Sequence, residues 1–101
     1  MRIHVLYFEG CPGHRPAVAL VRQVLSDLKV EARVEEVGVR DAAEAAGLRF
    51  LGSPTIQVNG IDIEPGAEAR FDYAMCCRMY GASGIPSRAM VEIAIRESAR
   101  T

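Results

Sequence analysis

Ile3-His4-Val5-Leu6-Tyr7-Phe8-Glu9-Gly10-Cys11-Pro12-Gly13-His14 is the stretch on which the reading of the whole chain turns. Residues 2–8 are apolar with little polar alternation, the pattern of a strand buried on both faces. Farther on, Ala17, Leu20, Val21, Val24, Leu25 and Leu28 recur at helical spacing. Cys11 therefore stands at a strand-to-helix junction. Unpaired backbone N–H groups and the positive end of a helix dipole favour a thiolate at such a place, and a thiolate is both a nucleophile and a soft-metal ligand. The competing possibility is a small buried hydrophobe.

Pro16 leaves the start of the helix open. A helix capped by Cys11 needs the amide of residue 16 as a donor, and proline has none. With Gly13 as the cap, Pro16 falls among the first-turn residues whose amides go unpaired. Cys11 then lies outside the helix, where the dipole does less for its thiolate. Otherwise the helix begins at Cys11 and kinks.

After this unit, Val30, Ala32 and Val34 alternate with Glu31, Arg33 and Glu35, which predicts an edge strand within 30–39 with one wet side. Asp41-Ala42-Ala43-Glu44 has capping-box spacing and opens a short helix to about Leu48. Gly52-Ser53-Pro54-Thr55 leads into Ile56-Gln57-Val58. Asn59-Gly60, between that run and Ile61-Asp62-Ile63, signals a tight hairpin. A last helix is predicted from Pro86 or Ser87 to Ala99. Asp62 and Glu64 read as solvated, and Tyr7, Tyr73 and Tyr80 as packing residues. Between Ile63 and Pro86 lies an aperiodic segment longer than a passive connection usually is; it carries Cys76 and Cys77.

The predicted order is β-α-β-α-β-β-α in a single domain, residues 1–101. This is an α/β fold with a four-stranded mixed sheet flanked by helices. The first two strands run parallel through a crossover helix, and the hairpin adds an antiparallel pair.

The chain has 12 basic and 13 acidic residues and no basic cluster, which speaks against a nucleic-acid or membrane-surface partner. No apolar stretch approaches bilayer length. His4 and Glu9 interrupt the first apolar run too early for a signal peptide, so a cytoplasmic protein is expected. Three cysteines are too few, and odd in number, for a secreted disulfide scaffold. Without a Gly-rich phosphate loop or a dinucleotide fingerprint, no cofactor is implied.

Leu6-Tyr7-Phe8-Glu9-Gly10-Cys11-Pro12, Gly52-Ser53-Pro54-Thr55-Ile56 and Cys77-Arg78-Met79-Tyr80, set in this order of elements, resemble the thioredoxin-like superfamily. More narrowly, they resemble a group of small thioredoxin-fold proteins and selenoproteins with Cys-Pro-x-His in place of Cys-x-x-Cys. Some of that group are labelled alkylmercury lyase. The resemblance spans nearly the whole chain. It implies that Cys11 is a redox cysteine opening the first helix, and that Pro54, in cis, faces it. The backbone of Ser53 would then be open to an incoming peptide or thiol, and Pro12, Ser53, Pro54 and Thr55 would bind substrate.

His14 departs from the dithiol pattern, in which a second cysteine occupies that place. A mixed disulfide on Cys11 therefore needs a small thiol or a distant cysteine to resolve it. Cys77 fits that role, because Arg78 beside it would favour its thiolate, with one of the adjacent pair Cys76 and Cys77 facing Cys11 and the other buried. A bridge between these two neighbours would close a strained ring. His14 either shares a proton with the Cys11 sulfur or faces solvent in the first turn.

The expected function is thiol-dependent redox chemistry of the thioredoxin or glutaredoxin type on disulfides or peroxides. Cys11, His14 and Cys77 are the candidate catalytic residues, and a small thiol or a disulfide-bearing protein is the expected partner. Two other functions compete. One is binding of a soft metal or organomercurial by Cys11, Cys76 and Cys77; the other is a non-catalytic thioredoxin-like module that docks a partner.

Overall fold

The first strand buries Ile3 and Val5 on one face and Leu6 on the other, and the chain wraps around it accordingly. In the computed structural model, which describes residues 1–80 and 83–100, the elements are β1 (Arg2–Tyr7), α1 (His14–Leu28), β2 (Arg33–Gly38), α2 (Ala42–Leu48), β3 (Thr55–Val58), β4 (Ile61–Asp62) and α3 (Arg88–Ala99). A 3-10 turn at Ala67–Ala69 lies between β4 and α3. The sheet order is β2-β1-β3-β4. β1 and β2 are parallel, whereas β3 is antiparallel to β1 and β4 to β3. The fold is α/β, with a four-stranded mixed sheet and helices on both faces.

Alternation along β1 divides the core. Ile3 and Val5 pack with Val21 and Val24 of α1, Ile56 of β3, and Val91 and Ile95 of α3. Leu6 turns to the other face and packs with Val39, Ala45 of α2 and Phe50. Ile3, Val5, Ile56 and Phe50 are fully enclosed, and burying such a side chain stabilises the fold by roughly 1.5–3 kcal/mol. No helix among the described residues is long and apolar enough to cross a membrane.

Local rules explain the element ends. The cap of α1 is Gly13, and the first helical bond runs from the Ala17 N–H to the Gly13 carbonyl at 3.0 Å. Pro16 thus occupies a place where no amide donor is needed, and Cys11 lies outside the helix. β2 begins at Arg33 rather than near Val30, because Lys29 (φ 54) closes α1 in the left-handed region and the Val30 N–H still bonds to Leu25 at 3.0 Å. Val30 and Ala32 nonetheless pack on the α1 core.

Asp41 caps α2 by accepting the Glu44 N–H at 2.8 Å, while the Glu44 carboxylate reaches back to the Arg40 N–H at 2.8 Å. Asn59 and Gly60 (φ 51 and 84) form the hairpin turn with both central residues at positive φ. β4 stops at Asp62, whose carboxylate captures the Glu64 N–H at 2.9 Å. Ser87 caps α3 by accepting the Met90 N–H at 3.2 Å.

Candidate functional site: the Cys11 cleft and the Ser53 edge

The loop carrying Cys11 is built from short-range bonds. The Cys11 N–H donates to Phe8 at 3.2 Å across a turn with Gly10 at φ 88, a value that favours glycine at its third position. The Cys11 carbonyl then accepts the His14 N–H at 3.3 Å as α1 begins. This leaves Cys11 half-buried with a free thiol. It opens on a cleft of about 640 Å³, lined by Tyr7, Cys11, Pro12, His14, Arg15 and Arg40 among others. That volume falls in the range of small-molecule sites, about 300–1,000 Å³.

His14 is on this cleft, but its imidazole is engaged elsewhere. It stacks on Tyr7 with ring centroids 3.5 Å apart, and its Nε2 donates to Glu36 Oε1 at 2.7 Å. Of the two alternatives for His14, neither a hydrogen bond to the Cys11 sulfur nor an open solvent-facing position describes its imidazole, which is held by Tyr7 and Glu36. The register supplies the reason. Val5 pairs with Glu36 and Tyr7 with Gly38, which puts Tyr7 and Glu36 on one face beneath the first turn of α1. Carrying the alternation on from Val34 would have located Glu36 there, since Val34 and Glu36 share a face.

Pro54 closes the other side of this loop. A Cβ on Gly13 would lie 3.1 Å from the Pro54 ring and 2.8 Å from the Gly84 carbonyl, so only glycine allows this approach. The Ser53–Pro54 peptide is cis. The Ser53 backbone, however, is not open. Its N–H donates to the Cys76 carbonyl at 2.8 Å, and its carbonyl accepts the Arg78 N–H at 2.9 Å. Its hydroxyl accepts the Phe8 N–H at 3.3 Å.

Ser53, Pro54 and Thr55 are all buried. Thr55 donates to the Gly52 carbonyl at 2.6 Å. The Ser53 backbone that the resemblance would leave open to a substrate is thus occupied by the chain's own Cys76 and Arg78, with Arg78 also on Thr55 and Tyr80 on the Pro54 carbonyl. Pro12 is exposed on the cleft.

The segment that covers Ser53 is anchored by Arg78, whose side chain is only 4 % exposed. Its guanidinium bonds to both carboxylate oxygens of Asp62, at 2.7 and 3.0 Å, and to Thr55 Oγ1 at 3.2 Å. Glu64 lies at 3.3 Å, and the Tyr80 ring centroid at 4.6 Å. Burial penalises the charge, but the Asp62 hydrogen bonds and the negative potential of Tyr80, Asp62 and Glu64 outweigh it and raise the Arg78 pKa. The Tyr80 hydroxyl donates to the Pro54 carbonyl at 2.7 Å, and burial pushes its phenol well above the ordinary value.

Two expectations change here. Asp62 and Glu64 are the counter-ions of a buried arginine, not solvated strand residues. Arg78 points inward and is not available to favour a Cys77 thiolate. The sequence carried no signal for this ion pair beyond the opposite charges themselves.

Cys76 and Cys77 are both exposed, so neither is the buried partner of the other, and all three cysteines are free. The described residues gather no group of three or more His, Cys, Asp or Glu that could hold a metal. The three-thiolate set of Cys11, Cys76 and Cys77 is thus not assembled. In comparisons with known proteins, no family model matches the chain, nor does any curated protein or solved structure.

Proposed function

We propose that the chain is a thioredoxin-like protein in which Cys11 catalyses thiol–disulfide exchange, with a small thiol as the resolving partner. The observation that carries this reading is the free, half-buried Cys11 thiol on a cleft of small-molecule size at the β1–α1 junction, with Pro54 packed on Gly13 beside it. The element order and the sheet order β2-β1-β3-β4 support the fold assignment.

The chemistry balances without a cofactor. The Cys11 sulfur attacks one sulfur of a disulfide R–S–S–R′, forming Cys11–S–S–R and expelling R′–S⁻. A small thiolate R″–S⁻ then attacks the R sulfur, releases Cys11 and leaves R–S–S–R″. With position 14 a histidine and Arg78 turned inward, resolution falls to that external thiol rather than to Cys77.

Turnover of bis(2-hydroxyethyl) disulfide in the presence of a monothiol tests this. Cys11→Ser abolishes it, and Cys76→Ser and Cys77→Ser leave it intact. Unchanged turnover in Cys11→Ser overturns the reading, and loss in Cys77→Ser returns the resolving role to Cys77.

A further inference from the structure

An extended peptide commonly binds by adding its backbone to an exposed strand edge, with the N–H and C=O of the edge residue as the anchoring pair. Beside the Cys11 loop that pair belongs to Ser53, which touches the loop through its hydroxyl on Phe8 and leads into the proline packed on Gly13. Both groups are already paired with Cys76 and Arg78, in a parallel bridge centred on Cys77. Asp62, Glu64 and Thr55 hold Arg78 from beneath, and Tyr80 ties the same segment to the Pro54 carbonyl.

We infer that residues 76–80 are an internal strap that fills the peptide-pairing edge. Cys11 then exchanges with low-molecular-mass disulfides entering through the Tyr7–His14–Arg40 cleft, and extended polypeptide disulfides are excluded. This rests on the exchange activity proposed above and names its substrate class. The residues that set the specificity are Arg78 and Tyr80; they do not face the reacting sulfur but hold the strap shut. An extended peptide must displace two backbone hydrogen bonds to gain two, and so forgoes about 30-fold in rate relative to a free edge.

The test compares the full-length protein acting on bis(2-hydroxyethyl) disulfide and on an unfolded polypeptide carrying a mixed disulfide, each with the same monothiol. The expected result is turnover of the small disulfide and little of the polypeptide. Tyr80→Phe should raise the polypeptide rate by about 5-fold and Arg78→Lys by about 10-fold or more, and both should leave the small-disulfide rate unchanged. Because Arg78→Lys also disturbs a buried ion pair, amide hydrogen exchange on the wild type supplies a second readout: slow exchange at Ser53 and Arg78 is expected. Comparable wild-type turnover of both substrates, or fast exchange at those two amides, overturns the strap and leaves the Cys11 activity standing. Turnover of neither substrate overturns the exchange activity, and the strap's substrate class with it.

Discussion

The loop that carries Cys11 and the segment that carries Cys77 are held in opposite ways. Phe8, Cys11, Gly13, His14 and Ala17 bond to one another over three or four residues, so the turn itself is shaped locally, with Ser53 and Pro54 set against it from outside. The Cys77 segment is tied to Phe50, Ser53, Pro54, Thr55 and Asp62, all far from it in sequence. The first arrangement leaves its sulfur facing a cleft with few obligations. The second gives its charged and polar groups to the interior, and its thiols are exposed. A charge next to a cysteine in sequence therefore says little about that cysteine until the direction of its side chain is known.

Substitutions at the two regions should separate them. The largest effect is expected from Asp62→Ala, which strands Arg78 in the interior. A loss of about 3 kcal/mol is expected in urea unfolding, with Glu64 keeping it from being larger. Cys76 and Cys77 should then be alkylated faster as their segment loosens. An unchanged unfolding midpoint would show that the distant contacts do not hold it.

Gly13→Ala attacks the local loop instead, forcing a methyl group toward the Gly84 carbonyl and the Pro54 ring. A cost of about 2 kcal/mol is expected from overpacking, with a changed alkylation rate at Cys11 but not at Cys77. If the Cys77 rate moved equally, the two regions would have to be treated as one unit.

Tyr80→Phe removes a single tie and leaves the Pro54 carbonyl without its donor, at about 1 kcal/mol. Tyr80 also gives the comparison a pH signature. Its phenol titrates above the ordinary 10.0 when folded. Its contribution to stability is therefore whole below about pH 10 and is lost as pH rises through the folded value. Alkaline titration followed by phenolate absorbance should show a late-ionising tyrosine that disappears in Tyr80→Phe.

The smallest effect belongs to Asp41→Ala, which removes the α2 cap and costs about 1 kcal/mol or less. It touches neither region, and the alkylation rates of Cys11 and Cys77 should stay at their wild-type values.

What could be read in advance follows the same division. The capping residue Asp41, the Asn59-Gly60 turn, the central β1 and the edge position of β2 are consequences of side-chain pattern and backbone preference within a few residues. They are legible in the chain for that reason. So is the place of Cys11 between β1 and α1, although the choice between Gly13 and Cys11 as the cap needed the first helical bond to be located. The place of the His14 imidazole is not a local matter, because its partners, Tyr7 and Glu36, come from two strands whose pairing register brings them together.

The sequence by itself determined the order of elements, the mixed sheet and the place of a cysteine at the first junction, because hydrophobic period, turn residues and caps act locally. Only the tertiary structure decided that Ser53 is already paired, that Arg78 turns inward to Asp62 and Glu64, and that Cys76 and Cys77 both stay outside. Those outcomes depend on where an aperiodic segment returns across the sheet. That return is set by an ion pair and backbone bonds between residues widely separated in the chain, for which no local pattern exists.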